Sequence, residues 1–276
     1  MLTKTFAVAY YTFRESFARK TFIAFFIIST IILSILLLAV NIDVVDGALA
    51  SFRFFNQDVK NVDQQLRLII IGIQSTLSAF LFTGGIFFSI FATASLVPNM
   101  LEKGNIDWLL ARPISRSMLL FGRSAGALAV VAFNVFYLVG GAWLILSLKS
   151  GFWHWPFLLS GLIIVLTFAV LYAFMVFLGV AVQNSAVTIM GAYLILFFSP
   201  MLAQRDRIYA LLTDKVWQYL LDVLYIMTPR TFEVGDITRL VVMNQPIASW
   251  NALWHSLALG VVYFILAILI FNKRNY

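Results

Sequence analysis

The sequence contains no cysteine and little charge, and both shortages restrict what the protein can be. Without cysteine, disulfides, thiolate metal sites and a cysteine nucleophile are excluded. Charged residues make up 11% of the 276 residues, whereas soluble proteins carry about 25%. Hydrophobic residues reach 62%, against about 45–50% in soluble proteins. So few polar groups cannot cover a soluble surface, and we therefore predict an integral membrane protein rather than a soluble enzyme.

Catalytic motifs are missing as well. The sequence has neither a G-x-x-x-x-G-K-[ST] phosphate loop nor a glycine-rich dinucleotide fingerprint. If the protein moves something uphill, its energy therefore has to come from another chain. The two histidines, His154 and His255, are isolated and adjoin tryptophan, which is typical of an interfacial aromatic belt. An intramembrane enzyme is disfavoured because acid and histidine clusters are lacking. We expect no metal and no cofactor in this chain.

Six stretches are long and apolar enough for transmembrane helices, which need about 20 residues. They are residues 22–40, 68–97, 118–148, 156–182, 186–203 and 252–271. The first is much longer than the core of a signal peptide, ~7–15 residues, so we expect it to be a retained span. No Asp, Glu or Lys lies deep in these stretches, which disfavours ion-coupled transport. The predicted fold class is an all-α membrane protein with six transmembrane helices in one domain, 1–276.

The distribution of basic residues predicts the orientation. Six spans place both chain ends on one side, whose segments carry ten Lys or Arg and three Asp or Glu. The opposite segments carry nine of each kind. Because cytoplasmic loops are enriched in Lys and Arg, we expect both termini in the cytoplasm. The net charge of +7 is then a topology signal, and no nucleic-acid partner is expected.

The N-terminal segment has the pattern of an amphipathic helix. Aromatic residues recur at helical spacing at Phe6, Tyr10, Phe13 and Phe17. Polar residues occupy the other side, at Lys4, Thr12, Glu15 and Arg19. This pattern predicts an interfacial helix over residues 3–20, in the plane of the lipid headgroups. The alternative is that the segment is only the frayed start of the first span.

Small residues recur in the second and third predicted spans. The positions are Ser75, Ser78, Gly85 and Ser89 in the second span, and Gly122 and Gly126 at the start of the third. Small residues allow the backbones of membrane helices to approach each other closely. Either packing within the chain or the lining of a transport path explains them, and the spacing does not decide between the two.

The segment 98–117 between the second and third spans carries the most specific pattern. Gly104 and Asn105 interrupt the helix, and Ile106, Leu109 and Leu110 then form an apolar ridge. Pro113 ends the short helix, and Ser115 is a suitable N-cap for the next one. Charged residues surround the ridge: Glu102, Lys103, Asp107, Arg112 and Arg116. Such an element docks into a protein groove or rests on headgroups with Trp108 as its anchor.

The same segment resembles a known family. Glu102-Lys103-Gly104-Asn105-Ile106-Asp107-Trp108-Leu109-Leu110-Ala111-Arg112-Pro113-Ile114-Ser115-Arg116 is similar to the E-x-G-T-x-D-x-L-L-x-x-P-[VI]-x-R stretch of ATP-binding-cassette (ABC) exporter permeases. The similar subfamily includes the permease of nitrous oxide reductase maturation. Further similarities are Tyr11-Thr12-Phe13-Arg14-Glu15 and the pair Gly122-Arg123. Asn105 departs from the pattern, since the family usually has Thr or a small residue there.

The resemblance implies a fold, a function and partners. The loop 99–116 would be the coupling helix that docks on a cytoplasmic ABC ATPase, and the N-terminal segment would be the elbow helix. The implied fold is the short-helix exporter permease, which acts with a second permease copy or paralogue and two ATPase chains. ATP and Mg²⁺ would be bound by those ATPases. Membrane lipid and an extracytoplasmic accessory protein are further expected partners.

Residues 204–251, between the fifth and sixth spans, carry two amphipathic patterns. The first apolar face consists of Ile208, Leu212, Val216, Tyr219 and Val223, and the second of Phe232, Ile237, Leu240 and Val241. Two interfacial helices are therefore predicted, and the resemblance places them on the extracytoplasmic side.

The sequence does not identify the substrate. The rival hypothesis is a membrane assembly factor or scaffold without transport, which would have no ATP-binding partner.

Overall fold

The structure is a computed structural model that describes residues 2–17, 20–39, 44–45, 48–49, 62–102, 104, 115–209 and 215–274. Its helices are α1 (Leu2–Phe17), α2 (Lys20–Ala39), α3 (Val62–Phe80), α4 (Ile86–Thr93), α5 (Leu96–Met100), α6 (Arg116–Ser150), α7 (Pro156–Val182), α8 (Ser185–Ala203), α9 (Arg205–Tyr209), α10 (Lys215–Met227), α11 (Thr231–Val242) and α12 (Asn251–Lys273). A π-helical turn, Leu81–Gly85, joins α3 to α4. The two-residue strands β1 (Val44–Val45) and β2 (Ala48–Leu49) pair antiparallel.

Within the described ranges, five helical stretches are long and apolar enough to cross a membrane. They are Leu66–Met100, Arg116–Ser150, Pro156–Val182, Ser185–Ala203 and Asn251–Lys273. These correspond to the second through sixth predicted spans. The first predicted span falls on α2, whose described apolar part, Phe22–Leu38, is shorter. The protein is therefore a multi-pass membrane protein. Whether the first predicted span, 22–40, also crosses the membrane remains a prediction.

Local sequence signals account for several helix ends. The Ser115 hydroxyl accepts a hydrogen bond from the Met118 backbone N–H at 3.4 Å and caps α6, as its position predicts. Asn184 caps α8 in the same way, accepting from Ala186 N–H at 2.8 Å. Gly151 ends α6 with a φ of +70°, in the left-handed region that glycine adopts without a steric penalty.

The second span is longer and less regular than predicted. Its helix begins at Val62 and reaches Met100, whereas the hydrophobic pattern predicts 68–97. The π-helical turn Leu81–Gly85 widens the helix locally, a feature often found at functional sites. Pro98 lies in the first turn of α5, where a missing N–H leaves no helical hydrogen bond unmade. For this reason the proline does not end the helix where the sequence suggests.

Close helix contacts at small residues hold the bundle together. A Cβ on Gly126 would lie 2.5 Å from the Ala9 backbone oxygen, so α1 and α6 touch along their backbones. A Cβ on Gly260 would lie 3.2 Å from the Val170 Cα, where α12 crosses α7. In lipid, helices associate through such packing rather than through hydrophobic burial. The packed centre consists of α6 and α7, and each of the other spanning helices contacts at least one of the two.

The bundle has two distinct ends. One end, which we call the loop end because the segment 99–116 leads into α6 there, holds the beginning of α6 and the ends of α7 and α12. Arg116 and Arg274 join these helix tips. The opposite end holds the tips of α2 and α6, where the Lys149 ammonium donates to the Leu37 backbone oxygen, together with α9, α10 and α11. Helix α1 packs on the first turns of α6, so it lies at the loop end. The first and last described helices therefore both reach this end of the bundle.

Candidate functional site

Most of the predicted coupling residues lie outside the described residues. These are Lys103, Asn105, Ile106, Asp107, Trp108, Leu109, Leu110, Arg112 and Pro113. Of the remaining three, Glu102 and Gly104 are exposed. Gly104 has a φ of +92°, a left-handed conformation that agrees with the helix break predicted there. The docking role of this loop stays a prediction.

Arg116, the third of these residues, binds the end of the last helix. Its Nη1 donates to the backbone oxygens of Phe271 at 3.2 Å, Asn272 at 3.4 Å and Arg274 at 2.6 Å. The last four carbonyls of a helix have no partner within the helix and carry the negative end of its dipole. The guanidinium therefore satisfies carbonyls of α12 with a charged donor. The sequence predicts Arg116 only at the charged rim of the coupling helix.

Arg274 makes an equivalent contact with the end of α7. Its Nη1 donates to the backbone oxygens of Val180 at 2.6 Å and Ala181 at 3.1 Å, at the end of α7. The tips of α6, α12 and α7 are thus connected in series by two guanidinium groups. Sequence analysis missed this arrangement, since 158 residues separate Arg116 from Arg274 and no local pattern marks either as a cap.

The predicted elbow helix has a protein partner on its polar side. Thr12 is fully buried, and the Glu15 carboxylate accepts from Arg123 Nη1 of α6 at 2.6 Å. Phe6 and Tyr10 are exposed, by 72% and 60%, on the side left for lipid. The sequence predicts these two faces but gives no sign that the polar one packs against α6. Of the other predicted elbow residues, Arg14 is exposed, Phe13 is half-buried, and the side chain of Phe17 lies outside the described set.

A cavity of about 530 Å³ lies between the second span, α8 and α11, towards the opposite end. We call it the polar-edged cavity. Its lining consists of Ser78, Ala79, Phe82, Thr83, Phe87, Leu196, Phe197, Pro200, Thr231, Phe232, Gly235, Asp236, Thr238 and Arg239. Two irregular helix segments contribute to its walls, the π-helical turn and the part of α8 that contains Pro200. The sequence predicts neither the cavity nor the part that α11 takes in it.

Helix α11 closes this cavity by a tight contact and a polar rim. A Cβ on Gly235 would lie 2.9 Å from the Phe82 ring, so a larger residue there would require that ring to shift. The exposed ion pair between Asp236 and Arg239, at 2.9 Å, forms the rim. The Phe232 backbone N–H donates to the Ser199 hydroxyl at 2.9 Å and attaches α11 to α8. The lining is therefore apolar with hydroxyls, and its charges cancel at the edge.

The predicted small-residue positions do not act as one stripe. Ser78 lines the polar-edged cavity. Gly85 packs against Leu81 and Phe25, and Gly126 packs against α1. Ser89 and Gly122 are buried, and Ser75 is half-buried. The structure thus places Ser78 beside a cavity and Gly126 in a contact between helices.

A second, apolar cavity of about 510 Å³ separates α8 from α10. Its lining consists of Leu194, Ile195, Phe198, Met201, Leu202, Ile208, Trp217, Leu220, Leu221, Leu224 and Thr228. On α10, Val216, Tyr219 and Val223, predicted as its apolar face, are exposed. The side that faces α8 is instead centred on Leu221. On α11, Ile237 and Val241 are buried as the pattern suggests, whereas Phe232 is exposed.

Beside the apolar cavity, two arginines stack on one tyrosine. The guanidinium carbons of Arg205 and Arg230 lie 3.7 Å and 4.1 Å from the centre of the Tyr225 ring. The Tyr225 hydroxyl donates to the Glu233 carboxylate at 2.6 Å. Burial, followed by this hydrogen bond to Glu233, raises the pKa of Tyr225, so it remains a neutral donor. The cluster holds α9, α10 and α11 together.

His154 is buried, whereas the tryptophans on either side of it are exposed. It is 6% exposed, whereas Trp153 and Trp155 are 47% and 63% exposed. Its Nδ1 lies 2.7 Å from the Gln74 side-chain oxygen in the second span, and its backbone oxygen accepts from Trp143 Nε1 at 3.1 Å. Burial lowers the pKa of His154, because the imidazolium loses hydration. A glutamine within an apolar span is the one sequence signal for this pair.

These features define a multi-pass helical membrane protein with a helix-to-helix polar network at one end and cavities at the other. Among the described residues, no group of three His, Asp or Glu is placed to hold a metal ion. The family model for "ABC-2 family transporter protein" matches residues 6–276. The chain belongs to this family and is a membrane permease component of an ABC transporter. None of the curated proteins searched matches the sequence.

Proposed function

We propose that the chain is the transmembrane subunit of an ABC exporter, which moves its substrate by changing conformation when a separate cytoplasmic ATPase binds and hydrolyses ATP. The observation that carries this proposal is family membership over residues 6–276, joined to the loop motif at 102–116. Arg116, the last residue of this motif, donates to the Arg274 backbone oxygen and so connects to the helix bundle. ATP and Mg²⁺ would be held by the ATPase, so this chain needs no nucleotide site of its own.

The proposed coupling element is the loop from Glu102 to Arg116, with Ile106, Leu109 and Leu110 as its apolar ridge. A helix with such a ridge fits a groove on a partner protein. Mechanical coupling requires contacts that differ between the nucleotide states of the ATPase. The loop would then be cytoplasmic, together with α1 and the end of α12, in agreement with the excess of basic residues on these segments.

The proposed assembly contains two permease chains and two ATPase chains in a bacterial inner membrane. A second copy or a paralogue would complete the transport path. The polar-edged cavity is the candidate place for that path, because two irregular helix segments and the Phe82–Gly235 contact border it. Its hydroxyls and neutral charge balance would suit a substrate with an apolar body and a small polar part.

Co-purification tests the proposal. The permease, isolated from its native membrane, is expected to bring an ABC ATPase with it, and the complex should hydrolyse ATP. Asp107→Arg and Leu109→Asp are expected to abolish the stimulation of ATPase activity by the permease without unfolding it. Asp206→Arg is the matched control, since Asp206 is an exposed acid far from the loop. Full stimulation in the two loop variants would contradict the docking role.

The competing function is a membrane scaffold without transport. It predicts that no ATP-binding chain accompanies the permease. The same purification therefore separates the two hypotheses, and the genes adjacent to this one provide a second, independent comparison.

A further inference from the structure

The loop end contains two guanidinium contacts that join helices distant in sequence. Arg116 binds three carbonyls at the end of α12, and Arg274 binds two carbonyls at the end of α7. We call this pair the arginine latch. The donor-to-acceptor distances of 2.6 Å, from Arg116 to Arg274 and from Arg274 to Val180, are short for N–H···O bonds.

Charged donors on helix carbonyls are strong contacts in this setting. A hydrogen bond with one ionised partner is roughly twice as strong as a neutral one. The negative end of the helix dipole adds to the attraction. Arginine is suited to the task because its planar fork presents five donors in a fixed geometry. A single guanidinium can therefore hold a helix tip in one orientation, which an apolar contact does less specifically.

The position of Arg116 gives the latch its mechanical significance. Arg116 is the first residue of α6 and directly follows the N-cap Ser115, so it is the point where the loop enters the bundle. Away from the tips, α6 and α12 meet where the rings of Phe121 and Phe264 lie 6.1 Å apart. The α7–α12 pair is closely packed at Gly260. At its tip, α6 is hydrogen-bonded to this pair through Arg116.

A third polar contact extends the network to α1. The Arg123 side chain lies two turns into α6, is 10% exposed, and pairs with Glu15 at 2.6 Å. The loop is thus followed within eight residues by contacts to α12 and to α1. From α12 the connection continues to α7 through Arg274.

We infer that Arg116 and Arg274 are positioning residues that make the loop-end tips of α6, α12 and α7 move as one body. This inference rests on the proposed function, since the body is meant to follow the loop that an ATPase would move. In this proposal the latch positions helices and does not itself bind substrate or nucleotide. Its loss would leave the helices folded and allow their tips to move independently of one another.

The absence of cysteine allows a direct test. Ser117→Cys at the start of α6 and Val182→Cys at the exposed end of α7 provide two spin-label sites in the full-length permease in liposomes. With the latch intact, the distance distribution between the labels is expected to show one narrow peak. Arg116→Gln and Arg274→Gln should each broaden or split that peak. An unchanged peak in both variants would overturn the inference.

A matched control separates the latch from charge alone. Lys273→Gln removes a positive charge at the same helix end, from an exposed side chain, and should keep the narrow peak. Equal broadening in this variant would show that general charge, not the latch, orders the tips. Arg116→Lys keeps the charge but loses the fork, and an intermediate width is expected. If Arg116→Gln does not fold, Arg116→Lys and Arg274→Gln decide the question.

The assembled complex provides the second measurement. When ATP and vanadate trap the ATPase, the intact latch should keep the Ser117–Val182 label distance as one peak, whereas Arg274→Gln should split it and reduce the stimulated ATPase rate. A split peak in the unaltered protein would contradict rigid motion. If no ATPase co-purifies, the proposed function fails, while the measurement on the permease alone still decides whether the latch joins the tips.

Discussion

The loop end and the opposite end of this permease are held together differently. At the loop end, two guanidinium groups and one ion pair connect α1, α6, α7 and α12 over distances of 2.6–3.4 Å. At the opposite end, two cavities of about 510 and 530 Å³ separate α8 from the short helices and from the second span. Protein interiors are normally close-packed. The contrast indicates a stiff loop end and an opposite end with room for rearrangement.

Packing also differs between individual helices of the bundle. In the most apolar 18-residue stretch of α7, 67% of the residues are buried, whereas in α12 the share is 22%. A helix with so little buried surface depends more on specific contacts along its length and at its tips. For α12 those contacts are the close approach at Gly260 and the arginine latch.

The largest expected effect tests the ion pair of the loop end. Glu15→Ala leaves Arg123, which is almost buried, without its carboxylate. Removing one partner of a buried pair costs about 3–5 kcal/mol. Because Glu15 is 31% exposed, we expect a loss at the lower end of this range, about 3 kcal/mol. The free energy of unfolding in mixed micelles measures it. Asp236→Ala breaks the exposed pair of the opposite end and should cost about 0–1 kcal/mol. Similar losses in Glu15→Ala and Asp236→Ala would contradict the difference between the two ends.

The next prediction concerns the contact between α1 and α6. Gly126→Leu places a side chain where a Cβ alone would lie 2.5 Å from the Ala9 oxygen. Overpacking of this kind costs about 1–3 kcal/mol, and the expected result is a detached α1 that proteases cut more readily. Gly140→Leu is the control, since no atom lies within 4 Å of a Cβ there. Equal proteolysis of the two variants would argue against a packed elbow helix.

A smaller effect is expected at the polar-edged cavity. Gly235→Ala brings a Cβ to 2.9 Å from the Phe82 ring, but the neighbouring cavity gives the ring space to shift. Alanine also favours a helix over glycine by roughly 0.5–1 kcal/mol, so the two effects should nearly cancel in thermal unfolding. Gly72→Ala, with open space around its Cβ, should be stabilising. Strong destabilisation by Gly235→Ala would mean that the opposite end is as rigid as the loop end.

The smallest effect is a dependence on pH at the opposite end. Burial lowers the pKa of His154 below 6.5 in the folded protein, so the unfolded chain binds a proton more readily. Stability should therefore be complete above the unfolded pKa and fall as the pH decreases below it. We expect a lower melting temperature at about pH 5.5 than at about pH 7.5, with a smaller difference in His154→Gln. Equal differences in both proteins would exclude this histidine as the cause.

Much of the architecture follows from local patterns. The apolar stretches predict the second through sixth spans, because a helix must satisfy its own backbone in lipid and so shows its length in the sequence. The cap at Ser115 and the helix break at Gly104 follow from side-chain and backbone preferences of single residues. The π-helical turn and the extension of the second span to Met100 do not, since neighbouring helices stabilise them.

The candidate sites were less accessible to sequence reasoning, for a physical reason. Arg116 and Arg274 look like ordinary basic residues at span ends, and Gln74 and His154 lie 80 residues apart. A hydrogen bond between distant residues leaves no periodic trace along the chain. The buried polar face of α1 is also unexpected, because amphipathicity shows which residues share a face but not what covers it.

For this protein, composition and hydrophobic length alone establish a helical chain in a lipid bilayer. Whether a given arginine faces water, a partner or a helix end depends on the three-dimensional packing. The guanidinium contacts, the glycine contacts and both cavities arise where helices distant in sequence come together, and their energies depend on distances of a few ångströms that only the folded bundle sets.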